Sequence, residues 1–469
     1  MPPFVASLLC CAFIGVLLRG LGKGRAPVSS SLWVPTIWVA LIASKPAAAW
    51  IYGKSTDLGL GSDSPAESID RNILIIQIII GLIILSRRQI NWAQFLADNR
   101  WMIAFQGFMF LSVWWSDDPF VAFKRWVRVT GGIIMILCLL TENDPVEGIR
   151  RVFVRCACIL IPLSVLVMKY YPETGVYYNY WNGAAAYCGE TVDKNALGRL
   201  AWVSGLFLVW SLDDLSIKGW FAKAWRRWPE LIVLALCGWV LSKAQSATSL
   251  ACFFVVVCIY FGARGRWARS NPKLVSTCAV AFIIASLTFL AVPDLRKIVT
   301  DRLGRRSDLT ERTEVWDRAL KLDTNMLIGE GYASFWLTRA GRALGSDLEV
   351  NEAHNGYLET YLNTGLVGLG FVAIMLYFAG RNTLRHLVGN TPVASLYAAL
   401  FLGSILYNYT EAAINDSSLV GFIIFQLSIW LPFRRAPIAP FVEDPAMYAG
   451  PADSEPCYEP ARLTGPDPA

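Results

Sequence analysis

Apolar residues in this chain come in runs that recur almost from one end to the other, and that recurrence leaves few folds open. Runs near 4–18, 32–52, 70–86, 101–116, 128–141, 152–169, 196–212, 229–242, 247–263, 274–292, 355–379, 393–410 and 414–432 hold few charges. A helix needs roughly 20 apolar residues to cross a bilayer. Only helices and closed barrels satisfy their own backbone groups there. The spacing therefore predicts an all-α integral membrane protein with 12–13 transmembrane helices. Hydrophobic residues are 55% of the chain and charged residues only 17%, too little polar surface for a soluble domain of 469 residues. No lysine or arginine precedes the first run, so it reads as a span rather than a cleaved signal peptide.

Lysines and arginines collect in alternate loops: Arg19, Lys23 and Arg25; Arg87, Arg88 and Arg100; Arg150 and Arg151. The series continues with Lys218, Lys223, Arg226 and Arg227, then Arg264, Arg266, Arg269 and Lys273, then Arg381 and Arg385, then Arg434 and Arg435. Loops of that kind stay on the cytoplasmic side, which turns the long loop 293–354 outward. The expected organisation is N-terminal transmembrane helices over 1–292, the outward loop over 293–354, C-terminal transmembrane helices over 355–433 and a disordered cytoplasmic tail over 434–469, where Pro, Ala, Asp and Glu leave little to bury. The net charge of +6 follows from this topology and points to no nucleic-acid partner. Most cysteines lie inside apolar runs, where they act as small hydrophobes; no disulfide and no metal-binding spacing is expected.

The outward loop is where chemistry concentrates. Arg302, Arg305, Arg306 and Arg312 cluster ahead of Asp308-Leu309-Thr310-Glu311, a capping-box pattern, and of Val315, Trp316, Ala319, Leu320 and Leu322 at helical spacing. This predicts a short amphipathic helix lying on the membrane, ended by Gly329-Glu330-Gly331 and followed by a flexible Gly-rich stretch to His354. Guanidinium groups bind phosphate oxygens in a bidentate fashion, and a departing diphosphate needs its growing charge stabilised.

His354 is one of only two histidines and stands at the start of the next apolar run. There the positive end of a helix dipole lowers an imidazole's pKa and keeps it neutral, as a general base requires. Tyr357, in the turn that follows, is a further substrate-binding candidate. So are Lys194 and Arg199 at the start of another outward span, Lys243 in a tight turn with Gln245 and Ser246, and Glu411 beside Tyr407 and Asn408 at the last outward turn. Each has a plainer reading as a lipid anchor or ordinary loop polarity.

Arg312-x-x-x-Trp316, Gly329-Glu330-Gly331, His354-Asn355 and Gly365-Leu366-Val367-Gly368 occur in that order. With them the sequence resembles the bacterial O-antigen ligase and O-antigen polymerase family. Ser44-Lys45-Pro46, Ile69-Asp70-Arg71, Trp115-Ser116-Asp117 and Lys194-Asn195-Ala196-Leu197-Gly198 are similar to its exopolysaccharide-polymerase branch. Ala247 stands where many members carry arginine, and Leu369 where the ligase type carries threonine; both lean toward polymerase.

The resemblance implies a multi-pass glycosyltransferase of the bacterial inner membrane. Its donor would be an undecaprenyl-diphosphate-linked glycan, its acceptor a glycan or lipid, and its working face the periplasm. It implies no cofactor, neither metal nor nucleotide, and membrane lipid and other polysaccharide-export proteins as partners. The family's catalytic histidine and arginines map to His354, Arg312, and Arg305 or Arg306; Lys194, Arg199, Arg302, Lys243, Tyr357 and Glu411 are the substrate-binding candidates read from the residues themselves. Polymerisation of exopolysaccharide or O-antigen units is the first expectation. Ligation of finished glycan to lipid A-core or protein is the second. A lipid-linked oligosaccharide transporter or flippase is the alternative of another class.

Overall fold

A computed structural model describes residues 1–21, 27–52, 65–178, 185–213, 227–265, 270–271, 309–414 and 418–431. All belong to one unit, Met1–Phe433; the second unit, Arg434–Ala469, lies outside the described residues, as does the expected span 274–292.

The elements in order are α1 (Pro3–Gly20), α2 (Trp33–Ile42), α3 (Ala47–Tyr52), α4 (Pro65–Ser86), α5 (Trp92–Asp98), α6 (Arg100–Ser112), α7 (Pro119–Leu140), α8 (Pro145–Tyr170) and α9 (Pro172–Gly175). A hairpin of β1 (Val176–Tyr178) and β2 (Ala185–Tyr187) follows, antiparallel, with Tyr177 opposite Ala186. Then come α10 (Lys194–Leu212), α11 (Trp228–Ala244), α12 (Ala247–Arg264), α13 (Leu309–Ala319), α14 (Arg339–Leu348), α15 (Gly356–Val388), α16 (Ala394–Thr410) and α17 (Leu419–Ser428). The protein is an all-α, multi-pass membrane protein. Six described helices are long and apolar enough to cross a membrane, among them α1, α8, α10, α12 and α15.

Local sequence explains where the helices start. Asp118-Pro119 and Asp144-Pro145 place an aspartate at the cap and a proline in the first turn, where its missing N–H costs nothing. Asp118 accepts from the Val121 amide at 3.1 Å and Asp144 from Glu147 at 3.0 Å. So α7 begins at Pro119, nine residues ahead of the expected apolar run; Lys124, Arg125 and Arg128 interrupt the hydrophobicity without interrupting the helix. The run 32–52 divides into α2 and α3 at Ser44-Lys45-Pro46. There the Lys45 amide donates to the Glu190 carbonyl at 2.9 Å, tying this break to the turn after the hairpin.

The core lies where α10 packs on α8, α11 and α12, and where α16 packs on α12 and α15. Phe153 and Phe207 stack with centroids 4.0 Å apart, and Trp202 and Tyr407 are fully buried.

The α15 helix is broken. Gly365 has φ 62° and ψ −161°, which frees amides and carbonyls that lipid cannot satisfy. The loop supplies them with partners. Leu366 donates to the Met326 carbonyl at 2.9 Å, Val367 to Leu327 at 3.0 Å, and the Glu330 amide donates back to Leu362 at 3.1 Å.

The loop itself is more structured than expected. Its amphipathic helix ends at Ala319 rather than at Gly329, and the stretch before His354 contains α14 rather than a flexible linker. Nor does α13 rest on lipid with its apolar face: Val315 and Ala319 are buried against protein, and only Leu320 is exposed.

Candidate active site

Asn355 is the N-cap of α15, its side chain accepting from Tyr357 at 3.0 Å and Leu358 at 3.2 Å. His354 therefore stands just outside the helix, with φ +47°, a left-handed backbone that a non-glycine residue adopts only when its surroundings hold it there. Two neighbours do so. Trp316 on α13 donates to the Ala353 carbonyl at 2.7 Å, and the Ala353 amide donates to Glu359 at 3.0 Å. Glu359 also receives Trp336 at 3.0 Å and the Asn363 amide group at 3.0 Å, so one carboxylate on α15 gathers the loop from both sides.

The ring of His354 lies against two carboxylates. Nδ1 is 2.7 Å from Glu352 and 3.5 Å from Glu411. The nitrogen is enclosed between them, and both hydrogen bonding and charge from the two carboxylates act on the ring. Glu411 caps the far end of α16, is only 6% exposed, and is shared: its other oxygen is 2.8 Å from Arg312 Nη2, while Arg312 Nη1 donates to the Thr410 carbonyl. The charge of Arg199, on α10, also acts on Glu411. Tyr407 links the same helices by donating to the Asn195 carbonyl at 3.1 Å. One guanidinium and an imidazole thus flank a single buried carboxylate where α13, α15 and α16 meet, and the charge of Arg199 on α10 acts on it as well.

The flanking carboxylates act against the expected neutral imidazole. Burial opposes charge on His354, but Glu352 and Glu411 outweigh it and raise its pKa to about 10. The helix dipole is a weaker influence than a carboxylate at 2.7 Å. The two carboxylates therefore favour the imidazolium form at neutral pH. For Glu411 burial works against ionisation, yet His354, Arg312 and Arg199 hold it below the usual carboxylate range.

Not every expected residue joins this cluster. Tyr357 turns to α16 and donates to the Ile405 carbonyl at 3.3 Å. Lys243 faces the rings of Tyr187 and Trp239, 5.8 and 5.9 Å from their centroids. Lys194 opens α10 one turn before Arg199. Arg302, Arg305 and Arg306 lie outside the described residues. Glu352 and Glu359 were not anticipated; the only sequence signal was acidic residues two before and five after the histidine. Glu352, His354 and Glu411 each bring a donor atom within 4.8 Å of the others, a spacing a metal ion could bridge, although Arg312 already occupies one oxygen of Glu411.

The motifs that carried the resemblance meet around this site. Trp115 donates to the Ile328 carbonyl at 3.3 Å, Ser116 and Ser334 pair at 2.6 Å, and Gly329 and Gly365 interlock. Residues 231–373 match the O-antigen ligase family. ExoQ, an exopolysaccharide production protein of Rhizobium meliloti (strain 1021), is 23% identical over 328 residues, 68% of this chain and 72% of its own. The resemblance to O-antigen ligases and polymerases is borne out. The family match takes in Arg312 and His354 but stops short of Glu411, which joins them, and begins after Arg199.

Proposed function

We propose that this chain is a membrane glycosyltransferase of polysaccharide biosynthesis. It takes an undecaprenyl-diphosphate-linked glycan as donor and polymerises repeat units on the periplasmic face of the inner membrane. The observation that carries this reading is the meeting of Arg312 and His354 on Glu411 at one end of several spans, within the field of Arg199. Such a cluster holds cations in place before a polyanion arrives, which is the preorganisation that stabilises a departing diphosphate.

In this mechanism an acceptor hydroxyl attacks the anomeric carbon. The new bond forms to the acceptor oxygen, the bond to diphosphate breaks, and its electron pair leaves with the phosphate. His354, Arg312 and Arg199 stabilise that charge. Because His354 already holds its proton, the hydroxyl proton passes to a carboxylate. Glu352 is the more exposed of the two that flank the imidazole, and we assign it this role. Lys194 and Lys243 contribute to holding the donor along the same outer face, together with Arg302, Arg305 and Arg306. No metal is required.

Polymerisation is favoured over ligation by the likeness to an exopolysaccharide production protein; ligation is favoured by the name of the matched family. Purified protein in lipid with the lipid-linked donor should yield new glycosidic bonds. A ladder of lengthening chains supports polymerisation, a single transfer to a separate acceptor supports ligation, and donor crossing the bilayer without bond formation would show a flippase instead.

A further inference from the structure

A polar cavity of about 250 Å³ opens at the end of the bundle opposite His354. Its place follows from the helices that frame it. α10 begins near Glu411 and ends at the cavity with Trp210 and Asp213, whereas α16 begins at the cavity with Ser395 and ends at Thr410 beside Arg312. At 1.5 Å per residue the two sites lie roughly 25 Å apart, a bilayer core's thickness.

Two arginines and one aspartate line this cavity. Arg150, from α8, lies over the Trp210 ring at 4.6 Å from its centroid and meets Glu147 at 3.4 Å; Arg264, from α12, pairs with Asp213. The hydroxyls of Thr391 and Ser395 complete the polar wall. The transfer reaction at the other end has no use for these groups. Next to lining residues Tyr260 and Leu387 stand Phe261 and Val388, both exposed, and Phe254 lies two turns from Phe261 on the same face of α12. A polar pocket with two guanidinium groups, each also shared with a carboxylate, thus adjoins apolar surface suited to an acyl chain.

We infer that this cavity seats the phosphodiester of an anionic phospholipid, the headgroup between Arg150, Arg264, Thr391 and Ser395 and the chains along Phe261 and Phe254. Basic pockets between membrane helices take such headgroups. The chemistry is shared with free phosphate, but the apolar strip selects the lipid.

The test uses the full chain in nanodiscs of phosphatidylcholine, the same with phosphatidylglycerol, and phosphatidylcholine discs with added sodium phosphate. Thermal unfolding and native mass spectrometry of retained lipid are the readouts, because a ligand of the folded state raises Tm. Ser395→Trp fills the cavity and Arg264→Gln removes one guanidinium. Arg381→Gln, an exposed arginine that lines no part of the cavity, controls for general surface charge. Phosphatidylglycerol should raise Tm of the parent and of Arg381→Gln, and Ser395→Trp should abolish the rise. Lipid retention by Arg264→Gln should fall about tenfold, the factor one charge-assisted hydrogen bond carries. Equal Tm shifts in all four proteins, absence of a phosphatidylglycerol adduct, or full protection by sodium phosphate alone would each overturn the assignment. None of these readouts depends on glycan transfer.

Discussion

A Cβ on Gly365 would lie 2.3 Å from the carbonyl of Leu327, because the loop runs along the break in α15. The two Gly motifs, more than thirty residues apart in sequence, are halves of one junction, since Gly329 meets Asn363 just as closely. The left-handed backbone at both positions adds a second reason for glycine.

Gly365→Ala should therefore destabilise the protein by at least about 2 kcal/mol, combining backbone strain with the clash. Gly370→Ala, five residues on, meets nothing within 4 Å and should be neutral or stabilising by up to ~1 kcal/mol. Thermal unfolding of both variants in the same detergent checks the pair. Equal stability would mean that the loop does not clamp the break.

Glu411 holds Arg312 and His354 together, so its loss should hurt twice. Glu411→Gln keeps the shape but leaves two cations facing each other, and should cost as much as about 3 kcal/mol, the scale of breaking a buried pair. Arg312→Ala should lower transfer by about 10²–10³-fold, as loss of a transition-state donor does. Arg312→Lys should recover little, because one ammonium cannot reach both Thr410 and Glu411 as the fork does. Product formation per folded protein is the measurement. Full activity in Arg312→Ala would remove this residue from the site.

The six described helices that can cross a membrane were legible because a bilayer demands long apolar runs, and cap chemistry such as Asp144-Pro145 marks where one starts. What hydropathy hid was α7's first three turns, where Lys124, Arg125 and Arg128 mask a continuous helix. His354, Arg312 and Glu411 were each visible as polar residues in or beside loops, but their meeting is tertiary. The carboxylates that favour a charged His354 went unseen for the same reason. A helix start is readable from sequence, whereas Glu411, brought in by α16 from 57 residues away, is not.

Metal removal should leave transfer unchanged. Glu352, His354 and Glu411 have a spacing that a cation could bridge, yet Arg312 and the imidazolium already supply the positive charge that a divalent ion would bring. Activity in EDTA, followed by added magnesium or zinc, should stay within twofold or so, well under the several kcal/mol that a Lewis-acid metal contributes. A loss in EDTA that a single divalent ion restores would assign the three residues to a metal instead.

The pH dependence separates the two possible jobs of His354. Its folded pKa is raised to about 10, above the ordinary value near 6.5, so pairing with Glu352 and Glu411 stabilises the fold most below 6.5. That contribution should drain away as pH rises toward 10, and Tm should fall over this window in the parent but much less in His354→Ala. The Glu411 carboxylate is shifted the other way, so its share is lost as pH falls below the carboxylate range. For catalysis, an imidazolium that stabilises the departing diphosphate keeps the rate level through pH 7–9 and lets it fall near 10. A neutral imidazole acting as base would make the rate climb through 6.5 instead, and a climb that disappears in His354→Ala would return the base role to this residue.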